Sequence, residues 1–227
     1  MTTEEDRIAE ATLRLAGRKN WRSLALADIA EEAGIALAEL AAHYPSKPAI
    51  LDGFERMIDR RMLAGASSDT SEPARDRLLG IIMERFDALQ PYRDGVRHVA
   101  REAPLDPSVG LVLACALPRS ISWMLAGARV PSDGPTALVR IAVLGVAYVA
   151  AFRAWLTDDN PDLGKTMAAL DRALDRASSM LGGDIESKNA AGSDSEPAEM
   201  PPPVLKPQRR QKGTGAGRRK PAAKSRG

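Results

Sequence analysis

The chain has 227 residues, 44% hydrophobic and 27% charged but only 4% aromatic, with a formal net charge of +2. This is globular composition for one large domain or two small ones, and an apolar load carried by Ala, Leu, Ile and Val favours helix over sheet. The single cysteine, Cys115, excludes an intramolecular disulfide, and with only 2 histidines beside it a usual structural zinc site is not expected either. The N-terminal MTTEEDRIAE is acidic and lacks the apolar core of a secretory signal. The longest apolar run, 141–152, is 12 residues closed by Arg140 and Arg153. A bilayer needs about 17, so a cytoplasmic protein with no stable membrane insertion is expected.

In chain order, Ile8, Ala11, Thr12, Leu15 and Ala16 form one helical face, and Gly17 can end that helix. Trp21 and Leu24 return to a core. A second helix carries Leu26, Ile29, Ala30 and Ala33 and breaks at Gly34; a third covers about 37–43. Pro45 marks a turn, Ser46 has the character of an N-cap, and a long fourth helix runs over about 47–63. Further helices are predicted at 72–89, 93–101, and from Asp106-Pro107 to about Gly127 with a kink at Pro118. The last two run from 133–135 to Trp155, and from the cap sequence Asn160-Pro161-Asp162 to Leu181. The fold class is all-α, with about nine helices in a compact bundle.

From about Gly182 the sequence turns rich in Pro, Gly, Ser and charge, too apolar-poor to offset the entropy of ordering. It reads as a disordered tail. Residues 206–227 hold 9 basic residues and no acid, whereas 1–183 hold 22 basic against 25 acidic. The basic pI belongs to the tail, which could hold a nucleic-acid backbone or an anionic surface without reading sequence.

Helix two, Gly34 and helix three form a helix-turn-helix, an arrangement common to many folds. The surrounding stretch SLALADIAEEAGIALAELAAHYPSKPAILDGF is more specific. With Asp28-Ile29-Ala30, Ala33-Gly34-Ile35, Leu40, His43-Tyr44, Ser46-Lys47 and Ile50-Leu51 at matching spacing, it resembles the N-terminal domain of the TetR family of transcriptional regulators. The resemblance implies that helix three enters the major groove and that the start of helix four meets phosphate. It makes Ala36, Leu37, Glu39, His43 and Tyr44 the recognition-helix candidates and Lys47 a phosphate contact. Three positions depart from the pattern: Ala25 replaces a hydroxyl N-cap, Glu39 a small hydroxyl residue, and Ala41 a Tyr that commonly holds phosphate. Residues 1–60 are also net acidic, 8 basic to 11 acidic, a poor footprint for phosphate neutralisation. The implied domains are 1–63, a helix-turn-helix domain with its linking helix; 64–182, a ligand-binding and dimerisation domain; and 183–227, the tail. The implied function is a ligand-responsive regulator, in most such families a repressor, acting on double-stranded DNA.

Leu163, Met167, Leu170, Leu174 and Leu181 lie on a heptad seam that calls for a helical partner. The helix before it is apolar nearly all round. Together they suggest a homodimer through a four-helix packing over about 134–181, with the seam in the interface. Met83, Phe86, Leu89, His98, Trp123 and Met124 are the large or adaptable side chains of the middle helices, and the candidates to line a pocket for an unknown small, apolar ligand. Cys115 reads as a buried, inert thiol. A fainter likeness, in RFDALQPYRDGVRHVAREAP and in WMLAGAR with AYVAAFRAWLTDDNPDLGKTMAALDRALDR, is to the lipid-binding family of coenzyme Q biosynthesis. That likeness implies the same fold with DNA binding lost. No phosphate loop after a strand, nucleophile elbow, metal constellation or acid–base pair is present in the sequence, so neither an enzyme nor a cofactor is expected.

Overall fold

The structure, a computed structural model, describes residues 3–67, 69 and 71–181. The predicted tail lies outside the described residues. Among those described are nine α-helices and no strand: α1 Glu4–Ala16, α2 Leu26–Ala33, α3 Leu37–His43, α4 Lys47–Gly65, α5 Ala74–Leu89, α6 Arg93–Glu102, α7 Pro107–Gly127, α8 Ala137–Trp155 and α9 Gly164–Met180. Short 3-10 turns at Trp21–Ser23, Gln90–Tyr92 and Ala103–Leu105 join some of them.

The helices begin where side chains can satisfy their free N–H groups. Thr3 Oγ1 accepts from the Asp6 N–H at 3.1 Å, while the Asp6 carboxylate accepts from the Thr3 N–H at 3.3 Å. Asp28 alone keeps half of that arrangement in α2, accepting from the Ala25 N–H at 3.0 Å. Ser46 caps α4 through the Ala49 N–H, and Asp106 caps α7 through the Ser108 and Val109 N–H groups. Gly34 closes α2 at φ 68°, a left-handed conformation that an L side chain resists. The last helix starts differently from the sequence reading. Asn160-Pro161-Asp162 does not cap it; the buried Asp158 does, accepting from the Thr166 N–H at 2.8 Å and the Thr166 hydroxyl at 2.9 Å. Helix α7 continues through Pro118 as one element.

Helices α1, α2 and α3 pack on one another and on the first half of α4 around Ile8, Trp21, Ile29, Leu40 and Phe54. Helix α4 also lies against α5 and α7, and α8 packs on α7 and α9. The helix-turn-helix end is therefore continuous with the rest through two helices. One is α4. The other is α1, which meets α6 so closely that a Cβ on Gly95 would sit 2.0 Å from the Leu13 carbonyl oxygen. His98 Nδ1 closes the same contact, 2.7 Å from the Ala16 carbonyl oxygen at the end of α1.

Two helices, α7 and α8, are long and apolar enough to cross a membrane by length and composition. The expectation from the 12-residue run was too narrow, because each helix extends its apolar character past an arginine. Both are only partly buried, leaving Leu111, Trp123, Leu138, Val139 and Val146 exposed.

Candidate nucleic-acid interface and internal cavity

The exposed face of α3 presents Ala36, Leu37, Ala38, Glu39, Ala41 and Ala42. Leu37 is 50% exposed, and Leu40 is the anchor, buried under the helix. Three predicted contact residues are committed elsewhere. Tyr44 is buried: its hydroxyl donates to the Glu5 carbonyl oxygen at 3.4 Å, and its ring fills the space a side chain at Gly53 would take. Burial pushes the Tyr44 pKa up to about 12. It is a packing residue joining α1, α3 and α4. His43 Nε2 lies 3.3 Å from the Glu4 carboxylate. Lys47 folds back over Trp21, its Nζ donating to the Trp21 carbonyl at 3.0 Å and the Arg22 carbonyl at 3.4 Å, with the ring centroid 5.6 Å away.

The other cations of the first sixty residues are also engaged. Arg7 pairs with Glu4, Arg14 with Glu10, Arg18 with Glu32, Lys19 with Asp28, Arg56 with Asp52 and Arg60 with Asp6. Arg22 donates to the Leu105 carbonyl. The net acidity seen in the sequence thus becomes a shell of local ion pairs. Such exposed pairs contribute roughly 0–1 kcal/mol each, so a phosphate could recruit their cations at little cost.

Between α1, α4, α5, α6, α7 and α8 lies a cavity of about 170 Å³. Its walls are apolar, including Leu13, Leu51, Phe54, Val99, Leu113 and Phe152. Only Glu55, Arg85, Ser120 and Tyr148 bring polar groups to it. The Arg85 guanidinium is the hub: Nη2 donates to Glu55 Oε2 at 2.5 Å, Nη1 to Asp59, and Nε to the Tyr148 hydroxyl at 3.1 Å. Ser120 donates to Asp59 at 3.1 Å. On the far side Arg119 reaches Asp52 at 2.7 Å and Asp59 at 3.7 Å. Burial raises the Glu55 pKa despite the adjacent Arg85. Burial also works against the Arg85 charge, but Tyr148, Glu55 and Asp59 outweigh it and hold the guanidinium protonated.

Of the six predicted pocket residues only Leu89 lines this cavity. Phe86 is core, stacked on Tyr148 at 5.6 Å and Trp155 at 5.9 Å, and Met124 is also fully buried. Met83 packs against the core, His98 is bonded to α1, and Trp123 is 48% exposed on the outside of α7. Residue size does not separate the two roles: Phe86 fills the core while Phe54 and Phe152 line the cavity. The buried Arg85–Glu55–Asp59 cluster went unread because its members, 26 and 30 residues apart, are adjacent only once α4 and α5 pack. A signal was present: an arginine on the inward side of α5, beside Phe86.

The heptad seam is also redistributed. Leu163, Leu170 and Leu174 are buried within the single chain, where α9 closes over α5 and α8, so their apolar surface is already spent. Met167 is exposed, and Leu181 is half-buried beside Val130 and Leu144. The unpartnered face lies instead on α8, where Leu138, Ala142, Val146 and Ala150 form a ridge at four-residue spacing between two apolar grooves. Cys115 is exposed, not buried, since its position on α7 faces away from the core.

No protein-family model matches the sequence, and no curated protein does. Solved structures do match. A TetR transcriptional regulator from Nitrosomonas europaea superposes with a TM-score of 0.64 at 23% identity, over 78% of this chain and 98% of that one. A TetR transcriptional regulator from Rhodococcus sp. RHA1 gives 0.55 at 18% identity, over 77% and 94%. A TetR-family transcriptional regulator from Streptomyces coelicolor gives 0.55 at 16% identity, over 86% and 91%. The chain has a TetR-like fold. Within the TetR-like fold, α2 and α3 are the helix-turn-helix pair, α4 is the link, and the cavity lies among α1 and α4–α8.

Proposed function

We propose that the chain is a ligand-responsive transcriptional regulator that binds double-stranded DNA as a homodimer and acts in the cytoplasm, most simply as a repressor. The carrying observation is α4. Its first turn, Ser46–Lys47, abuts the helix-turn-helix, and Glu55 on the same helix lines the cavity, hydrogen-bonded there to Arg85. A ligand entering the cavity meets the helix that carries the reading head. Coupling of the two sites would be reciprocal, so operator DNA would weaken ligand binding by the same factor that ligand weakens DNA binding.

The dimer in this reading forms through the α8 ridge with the outer face of α9, including Met180, because an apolar ridge flanked by grooves packs well against a copy of itself. The basic tail would supply sequence-independent affinity and α3 whatever specificity there is. Deleting 206–227 should then weaken all DNA sequences alike and flatten the salt dependence, by roughly 0.9 in log–log slope for each phosphate no longer neutralised. An unbiased DNA selection that enriches a palindrome, in binding that a ligand releases, is the direct test; selection with no enrichment refutes the proposal.

One observation favours a second reading, a lipid-binding accessory protein on the same scaffold that no longer reads DNA. The exposed face of α3 carries one acid and no cation, and Lys47 is drawn back onto carbonyl groups. Native mass spectrometry of the purified protein showing an isoprenoid lipid, together with a blank DNA selection, would decide for it.

A further inference from the structure

The cavity is slightly larger than the roughly 150 Å³ at which an apolar protein cavity accommodates benzene, so it suits a compact body of about that size. What distinguishes it is how its charges are arranged. Arg85 turns each of its three nitrogens to a protein partner, two of them carboxylates, so its charge is already met within the cluster. Tyr148 accepts from Arg85 and keeps its own O–H, a neutral donor, and Ser120 donates to Asp59. Glu55 is different: it bonds through Oε2 alone, and among the described residues Oε1 has no partner.

The charge balance runs the same way. With Glu55 ionised, Glu55, Asp59 and Arg85 together carry one net negative charge, and a cation in the cavity would favour that ionised form. The compensating positive charge, in the Asp52–Arg56–Arg119 group, does not line the cavity. The cluster is therefore polarised, with its negative end towards the empty space. Phe54, Tyr148 and Phe152 line the same space, and aromatic faces attract cations.

We propose that the cavity binds a compact apolar amine, its ammonium donating to Glu55 Oε1 and its hydrocarbon body among Leu13, Phe54, Val99, Leu113 and Phe152. This rests on the ligand-responsive reading given above and adds the class of ligand. A carboxylate ligand of the same shape is disfavoured, because its charge would face the Glu55 carboxylate.

The test uses the full-length protein and three probes of one shape: benzylammonium, benzyl alcohol and benzoate, titrated calorimetrically at neutral pH. Benzylammonium is expected to bind about tenfold or more tightly than benzoate, with the alcohol between, about 1.4 kcal/mol of discrimination. Glu55→Gln keeps an acceptor for Arg85 and removes the charge, and should bring ammonium and benzoate within about threefold of each other. Ala100→Trp, at the partly exposed end of the cavity, should abolish binding of all three, and it decides the location if Glu55→Gln does not fold. Benzoate binding as tightly as benzylammonium overturns the proposal. So does an unchanged preference in Glu55→Gln, survival of binding in Ala100→Trp, or no binding of any probe. DNA affinity with and without benzylammonium is read separately. If the amine prefers the Glu55 site and DNA binding is indifferent to it, the regulator reading fails while the site stands.

Discussion

Replacing Arg85 by Met would keep the aliphatic stem of the side chain and remove the hub of the buried cluster. The guanidinium side chain is 3% exposed and serves Glu55, Asp59 and Tyr148 at once. Removing one member of a buried pair costs about 3–5 kcal/mol, because the partner is left charged and unpaired. A domain of this size has about 5–15 kcal/mol in all, so Arg85→Met should remain folded but with a large fraction of its stability gone. The loss depends on pH. Glu55 already has a raised pKa in the folded state, so folded protein holds a proton that the unfolded chain releases. Stability then falls as pH rises from the unfolded pKa through the folded one. Without Arg85 the folded pKa rises further, and the fall becomes deeper. Urea unfolding followed by circular dichroism, at one protein concentration, should show the full deficit at pH about 8 and a smaller one at pH about 5. Adding Glu55→Gln to Arg85→Met should recover part of it. A deficit under about 1 kcal/mol, or one equal at both pH values, would refute the account of the cluster as a charge-paired hub.

Gly95→Ala should destabilise the protein by about 1–3 kcal/mol, since the added Cβ would meet backbone at Leu13 that cannot swing aside; an unchanged urea midpoint would count against the α1–α6 clamp. Val146 is 73% exposed on the α8 ridge, so Val146→Glu should halve the sedimenting mass and leave the helical content intact. Leu170→Glu should instead unfold the chain, as that side chain is fully buried within it. If Leu170→Glu gives a folded monomer, the seam faces a partner after all. Cys115 should react with a thiol reagent in the native protein at a rate near that of a free thiol, and protection would show that its face of α7 is covered in solution.

The architecture was legible because its signals are local. Ser46, Asp106 and Gly34 each fix a helix end within four residues, and periodic apolar positions fix the buried faces. The α9 start failed at the same level, since Asp158 caps it from eight residues upstream of Thr166, past two residues that mimic a cap. The sites were less legible for a different reason. Periodicity says that Leu163, Leu170 and Leu174 face apolar surface, but not whether that surface belongs to the same chain. Residue size says that Phe86 and Met124 are buried, but not whether they bound a void or fill one. Lys47 and Tyr44 stand at the positions the resemblance assigns to DNA, yet their partners, Trp21 and Glu5, come from elsewhere in the fold.

These two residues also show how the helix-turn-helix end and the cavity end are joined. Tyr44 fits against Gly53 on the inner side of α4, and Lys47 ties the start of α4 to the turn at Trp21–Ser23. That turn is in turn held to α6, where the Arg22 N–H donates to the Glu102 carboxylate at 3.0 Å. Val96, Val99 and Ala100 of α6 line the cavity, as do Leu51, Phe54 and Glu55 of α4. Two helices thus leave the cavity wall and reach the helix-turn-helix by separate routes, one through Tyr44 and one through Lys47. A ligand that fixes the spacing of α4 and α6 would hold both ends of the Lys47 contact in place. On the proposed function, a DNA phosphate at Lys47 would, by contrast, need the ammonium freed from the Trp21 and Arg22 carbonyls. DNA binding and the retracted Lys47 would then belong to two states of one molecule, with ligand favouring the retracted state, and α4 would be the element whose position selects between them.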